Sequence, residues 1–265
     1  DRWRQKCCTE ALLIMERTFF GKDKAVLTTM VQAATPQRIK ELIDKSVPEG
    51  AEAFGMQFEQ LKAEYRTKEV YRDLFSYTKD KPVYVTNYRH TTNEGKTDDE
   101  LGEELVEFAE CGADLCDVMG DYFDRQPDEV AVDKDAIEKQ KDLIKKIHDK
   151  GAKVLMSSHV YKYTPARRVL EIALEHQSRG ADISKIVTGA TTMEEQLENL
   201  KIINMLKEKL DIPFLFLCVD SCGILRRIGG ELGCCMYLCV HEYDELATAT
   251  QPLLKKIKMI RDNME

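Results

Sequence analysis

Residues 152–187 read AKVLMSSHVYKYTPARRVLEIALEHQSRGADISKIV, and this stretch decides the fold. It opens on an apolar run (152–157), continues through a segment of helical periodicity (165–179) and closes on a second apolar run (182–187). Two short apolar runs joined by an amphipathic helix form a βαβ unit, which makes the two strands parallel neighbours. His159 follows directly on the first run, and Lys185 lies inside the second, 26 positions later. A lysine within a buried strand is unusual because its ammonium group loses hydration there. One way to meet that cost is a lowered pKa, leaving a neutral amine that is nucleophilic towards carbonyls.

The same alternation runs through the chain. Further strands are expected at 25–31, 51–57, 82–87, 113–119, 212–217 and 236–240. Helices are expected at 36–45, 62–77, 98–111, 134–150, 193–209 and 251–263. Thr35-Pro36 and Thr164-Pro165 have the form of an N-cap followed by proline in the first turn. Gly50, Gly112, Gly151 and Gly180 are each followed by Ala where a strand should begin, a repeated helix-Gly-Ala-strand step. Eight strands, seven or eight helices and 265 residues fit a single-domain α/β fold of the (β/α)₈ TIM-barrel type. A doubly wound sheet is the rival, but no glycine-rich phosphate loop follows the first strand. Residues 1–24 are read as a segment covering the barrel bottom or forming an oligomer contact, and 25–265 as the barrel.

Composition narrows the function classes. With 43% apolar and 32% charged residues the chain is expected to be globular rather than disordered. A net charge of −8 gives no general attraction for nucleic acid or anionic membrane, so an anionic ligand would need a locally basic pocket. No apolar run approaches the roughly 20 residues that span a bilayer. The start lacks the apolar core of a signal peptide, and nine scattered cysteines suggest reduced thiols. A cytoplasmic location is therefore expected; no metal is expected, since no paired CxxC pattern is present, and no organic cofactor.

In a barrel of this type the active site lies at the C-terminal ends of the strands. The polar residues expected there are Arg89, His90 and Glu94 after the third strand, and Asp117 in the fourth. Ser157, Ser158 and His159 follow in the fifth, Lys185 in the sixth, Arg226 and Arg227 beyond the seventh, and Gln251 beyond the eighth. Lysine, histidine, glutamate and arginines around one pocket suggest imine chemistry on a small anionic carbonyl compound. His90, His148, His176 and His241 read as ordinary satisfied polar residues, and the charged run 134–150 as a solvated helix face.

Four motifs carry a resemblance to the type I 3-dehydroquinate dehydratases. SSHVYKYTP with GADISKIV is similar to that family's S-x-H-[DV]-F/Y-x-x-TP and Schiff-base lysine segment. LRRIGGELGC resembles its S-R-x-x-G-E-x-F-G-S, and YRHTTNEGK its F-R-x-x-x-E-G-G with one extra residue. ATATQP is a weaker likeness to its S-A-P-G-Q lid loop. The resemblance implies that Lys185 forms an imine with substrate, that His159 is the general acid/base and that Glu94 orients it. It implies further that Arg227 pairs with the substrate carboxylate, that Arg89 is a second polar contact and that Gln251 sits on the closing loop. A homodimer is also expected.

Departures from the family pattern fall on the second strand. Its E-x-R-x-D, which contacts substrate hydroxyls or their neighbours, is replaced by Gly55-Met56-Gln57-Phe58-Glu59. Gln57 thus stands for a guanidinium and Gly55 for a carboxylate, while the lid serine becomes Ala247 or Thr248. Retained imine machinery beside rebuilt hydroxyl contacts leaves three function classes. They are a dehydratase of 3-dehydroquinate or a close relative, a Schiff-base lyase or aldolase for another keto substrate, and a non-catalytic metabolite-binding homologue.

Overall fold

The structure, a computed structural model, describes residues 17–264. Strands β1 (Val26–Val31), β2 (Ala53–Gln57), β3 (Val83–Thr86) and β4 (Leu115–Met119) alternate with α1 (Pro36–Ser46), α2 (Lys68–Tyr77), α3 (Asp98–Cys111) and α4 (Lys134–Asp149). The second half repeats the pattern with β5 (Lys153–His159), α5 (Ala166–Ser178), β6 (Ile183–Thr188) and α6 (Met193–Lys209). It ends with β7 (Phe214–Cys218), α7 (Leu225–Leu232), β8 (Met236–Cys239) and α8 (Leu254–Asp262). The strands are parallel and run in the order β7-β6-β5-β4-β3-β2-β1-β8. At the seam, Cys235 N–H donates to Phe214 C=O at 2.9 Å, which brings β7 and β8 together at one end of a nearly closed (β/α)₈ barrel.

Local chemistry explains most boundaries. Thr35 caps α1 by accepting from Arg38 N–H, with Pro36 in the first turn. Thr97 and Thr192 form capping boxes with Glu100 and Glu195 at the starts of α3 and α6. Gly50, Gly112, Gly151 and Gly180 all have φ between 92° and 106°, so the repeated Gly-Ala step marks left-handed helix stops. Three expectations shift. Thr164 does not cap α5 but donates to Lys162 C=O. The helix expected from 62 begins at Lys68, because Thr67 accepts from Val70 N–H there. Helix α7 was not foreseen, since eight residues containing Gly229-Gly230 carry little helical propensity.

Register carries one face around the sheet: Met30 opposes Gly55, Gly55 opposes Tyr84, and Tyr84 opposes Leu115. On the far side Ser157 opposes Lys185, and Lys185 opposes Leu215. These residues point into the barrel, where Val26, Ala53, Leu115, Leu155, Ile183 and Met236 fill the lower interior. The alternate residues face the helices, as Phe54, Met56, Val85 and Val118 do against Phe75, Leu105 and Phe108. Full burial of each such side chain contributes roughly 1.5–3 kcal/mol. Of segment 1–24, residues 17–24 lie at the N-terminal end of the strands: Phe19 is buried and Arg17 donates to Asp114 at 2.7 Å. Residues 1–16 lie outside the described residues. No described helix is long and apolar enough to cross a membrane.

Candidate active site

A cavity of about 350 Å³ opens at the C-terminal ends of the strands, and Lys185, His159, Tyr88, Glu129, Arg226 and Gln251 are among its lining residues. Lys185 comes from the middle of β6 and is only 4% exposed. Its Nζ lies 2.6 Å from Tyr88 Oη, 3.1 Å from Tyr84 Oη and 3.1 Å from Asp117 Oδ2. An ammonium has three donors, and here each meets an oxygen. The burial is thus offset by a carboxylate and two phenols.

Asp117, on β4, is the hub of this cluster. Its Oδ2 also accepts from the hydroxyls of Tyr84 and Tyr88, and its Oδ1 accepts from Ser157. Burial pushes this carboxyl up, but Lys185, then His159, and the donated hydroxyls of Ser157 and Tyr84 hold it below the usual carboxylate range. Burial, and then Asp117, push both tyrosine hydroxyls well above their ordinary value, so they stay protonated donors. Gly55 makes room for the arrangement: a Cβ there would fall 2.2 Å from Met30 Sδ and 3.0 Å from Tyr84 Cδ1. The carboxylate expected from family likeness at this point is replaced by space that Met30 and Tyr84 fill.

His159 ends β5, one strand away. Its Nδ1 pairs with Glu129 Oε2 at 2.9 Å, and the same oxygen accepts its backbone N–H at 2.7 Å. The ring sits edge-on to Tyr88 at 5.1 Å and is stacked on Tyr161 at 5.7 Å. Glu129 and Tyr161 both have left-handed backbones (φ 47° and 53°), unusual for residues with side chains, so the loops holding His159 are strained into place. With Nδ1 engaged, Nε2 is the nitrogen left for the cavity.

This corrects the expectation for Glu94, which is exposed in the loop after β3 while Glu129, from the β4–α4 loop, holds His159. The arginine is corrected by one position. Arg227 is exposed and bonds to Gly223 C=O at 2.9 Å, whereas Arg226 is buried, lines the cavity and gives Nε to Cys218 C=O at 3.1 Å. One residue is a turn of about 100° on a helix, enough to exchange an inward side chain for an outward one. Among the described residues no carboxylate pairs with Arg226.

Arg89 does border the cavity, but its guanidinium is occupied by Asp98 at 2.7 and 2.9 Å, Asp121 at 2.7 Å and Asp121 C=O at 3.0 Å. It fastens the β3 and β4 loops together and has little donor capacity left for a ligand. Gln57 and Gln251 line the cavity, and buried Gln251 Oε1 has no hydrogen-bond partner among the described residues. Thr248 also lines it, its Oγ1 accepting from Gln32 Nε2 at 2.7 Å and its N–H donating to Gln32 Oε1 at 2.6 Å. That double contact ties the loop before α8 to the end of β1.

The histidines divide. His90 lines the cavity, contrary to its reading as a bystander, and burial followed by the neighbouring His159 lowers its pKa. His176 is buried between Ser158 and Ser184, 3.0 Å from each hydroxyl, and burial lowers its pKa to about 3, a neutral structural residue. His148 and His241 pair with Asp182 and Glu49. Among the described residues no three His, Cys, Asp or Glu side chains are grouped to hold a metal ion.

Comparison with known proteins agrees with this architecture. The family profile of the type I 3-dehydroquinases matches residues 28–261. Over 102 residues the chain is 34% identical to a 3-dehydroquinate dehydratase of Alkaliphilus oremlandii, covering 38% of this chain and 39% of that one. Over 93 residues it is 32% identical to one from Clostridium novyi, covering 34% and 37%. The matched segments thus span less than two fifths of these relatives' own lengths. The fold is similar to the 3-dehydroquinate dehydratase of Geobacillus kaustophilus, with TM-score 0.75, 14% identity and 91% of each chain covered. It is equally similar to the type I enzyme of Clostridium difficile, solved with covalently modified comenic acid, at TM-score 0.75, 17% identity and 92% and 94% coverage.

Proposed function

The chain belongs to the type I 3-dehydroquinase family, and from that premise we propose that it is a hydro-lyase that removes water from 3-dehydroquinate through an imine on Lys185. The observation that carries the reading is the meeting, in one cavity, of a lysine, a carboxylate-held imidazole and a buried guanidinium with no carboxylate partner among the described residues.

In this reading Arg226 receives the substrate carboxylate, and its planar fork suits that group better than an ammonium would. Lys185 condenses with the ketone. The resulting iminium withdraws electrons more strongly than a ketone and makes the adjacent C–H acidic. His159, oriented by Glu129, takes that proton and returns one to the departing hydroxyl. Water then hydrolyses the imine and frees Lys185. Gln57, Gln251 and Thr248 are the polar groups available to the substrate's remaining oxygens. The chemistry is supplied by side chains alone.

The test is a direct assay of the purified protein on 3-dehydroquinate, following the ultraviolet absorbance of the conjugated product, 3-dehydroshikimate. Turnover that disappears in Lys185→Ala is the expected result. Absence of turnover in the unmodified chain would turn the proposal to its second reading, another cyclic β-hydroxy keto acid. Filling of the Gly55 position by Met30 and Tyr84 favours that second reading, because a site that loses hydroxyl-binding groups changes specificity by large factors.

A further inference from the structure

Forming and hydrolysing an imine each move protons at the carbonyl oxygen and at Nζ, apart from the proton taken from carbon. Among the described residues no hydrogen bond links His159 to Lys185. The groups in contact with Nζ are Tyr84, Tyr88 and Asp117. Asp117 and Tyr84 are buried and do not line the cavity; Tyr88 does, and its hydroxyl is also 2.6 Å from Asp117 Oδ2. It is therefore the link between a buried carboxylate and the space where a ketone would sit.

We propose that Tyr88 is the catalytic acid and base for making and breaking the imine on Lys185, with Asp117 as its proton reservoir. This rests on the imine reading above. The protons balance as follows. Asp117 takes one proton from the Lys185 ammonium, leaving a neutral amine and a carboxylic acid. The amine adds to the carbonyl carbon; the carbonyl oxygen takes the Tyr88 proton, and the phenolate regains one from the nitrogen, giving a neutral carbinolamine. The C–O bond then breaks with the oxygen leaving as water, protonated by Tyr88, which recovers its proton from Asp117. The products are a protonated imine, water and the Asp117 carboxylate, now the counter-ion of the iminium. No net proton is gained or lost, and hydrolysis is the same sequence reversed. The geometry suits the role, since the oxygen that must be protonated is bonded to the same carbon as Nζ, which already lies 2.6 Å from the Tyr88 hydroxyl. General acid–base assistance of this kind is worth about 10²–10⁴ in rate.

The alternative is that Tyr88 merely holds Lys185. Tyr84 provides the control, because it contacts the same Nζ and the same Asp117 oxygen without reaching the cavity. In a His159→Ala background, which blocks elimination, 3-dehydroquinate is incubated in ¹⁸O-water and exchange of its carbonyl oxygen is measured above the buffer rate. Exchange is expected in His159→Ala alone, to fall about 10²–10⁴-fold on adding Tyr88→Phe, and to fall less than about tenfold on adding Tyr84→Phe. Equal losses in the two tyrosine variants, or no exchange in His159→Ala alone despite rapid exchange in the unmodified protein, would overturn the proposal. Exchange that survives Lys185→Ala would instead overturn the imine reading itself.

Discussion

The two sides of the barrel mouth are built differently. On the β3–β6 side nearly every polar group is engaged: Lys185 with two tyrosines and Asp117, Asp117 with Ser157, and His159 with Glu129. Across the mouth, among the described residues, Gln251 Oε1 is buried without a partner and Arg226 has no carboxylate. The first side is preorganised for reaction, where groups must not reorient during chemistry. The second holds polar groups that a ligand would satisfy, and a buried unsatisfied group is costly until it is met. Reaction and recognition are thus separated in space.

The division can be broken most forcefully at Lys185. Lys185→Ala is expected to lower turnover by roughly 10⁴-fold or more while leaving the fold intact. A smaller loss in steady-state assays would place the nucleophile elsewhere on the engaged side.

Beside the engaged side, just after β2, lies one group at odds with its surroundings. Glu59 is fully buried and accepts from Thr86 Oγ1 at 2.9 and 3.0 Å, with no cation paired to it among the described residues, and burial raises its pKa to about 7. The folded state therefore binds this proton more tightly than the unfolded chain, whose carboxyl titrates near its ordinary 4.5. Its contribution to stability is full below about pH 4.5 and is lost as pH rises through about 7. Glu59→Gln should remove roughly 3 kcal/mol of that pH dependence. Denaturant melts at pH 5 and pH 8 check this, and an unchanged difference between the two pH values would contradict it.

On the recognition side the effects are smaller. Arg226→Ala should raise KM about 10- to 100-fold with a lesser change in kcat, the loss of a charge-assisted carboxylate contact. Arg227→Ala should stay within about twofold, since its guanidinium faces solvent. The reverse order would restore the arginine named from the sequence. Smallest of all, Gln251→Ala should cost about two- to tenfold in kcat/KM. An effect as large as that of Lys185→Ala would erase the distinction between the two sides.

What the sequence revealed follows the same division. Lys185 and His159 were legible because each interrupts or ends an apolar run, and the eight strands because their runs are short and glycine-punctuated. Glu129 was not, since it lies in a loop where carboxylates are common and only a φ of 47° turns it to His159. Tyr84 and Tyr88 carried no signal of their own, one lying within the third strand and the other just past it, and Tyr84 fits only because Gly55 leaves room beside Met30. LRRIGGELGC read in register with S-R-x-x-G-E-x-F-G-S puts the arginine at Arg226, so that residue was legible although Arg227 was chosen; the short, glycine-rich helix that turns it inward was not.

The most direct test of the central claim is to mix the protein with 3-dehydroquinate, reduce with borohydride and map the adduct by peptide mass. The expected result is a single substrate-derived adduct on Lys185, absent from Lys185→Ala. An adduct on another lysine, or active turnover with nothing trapped, would contradict it.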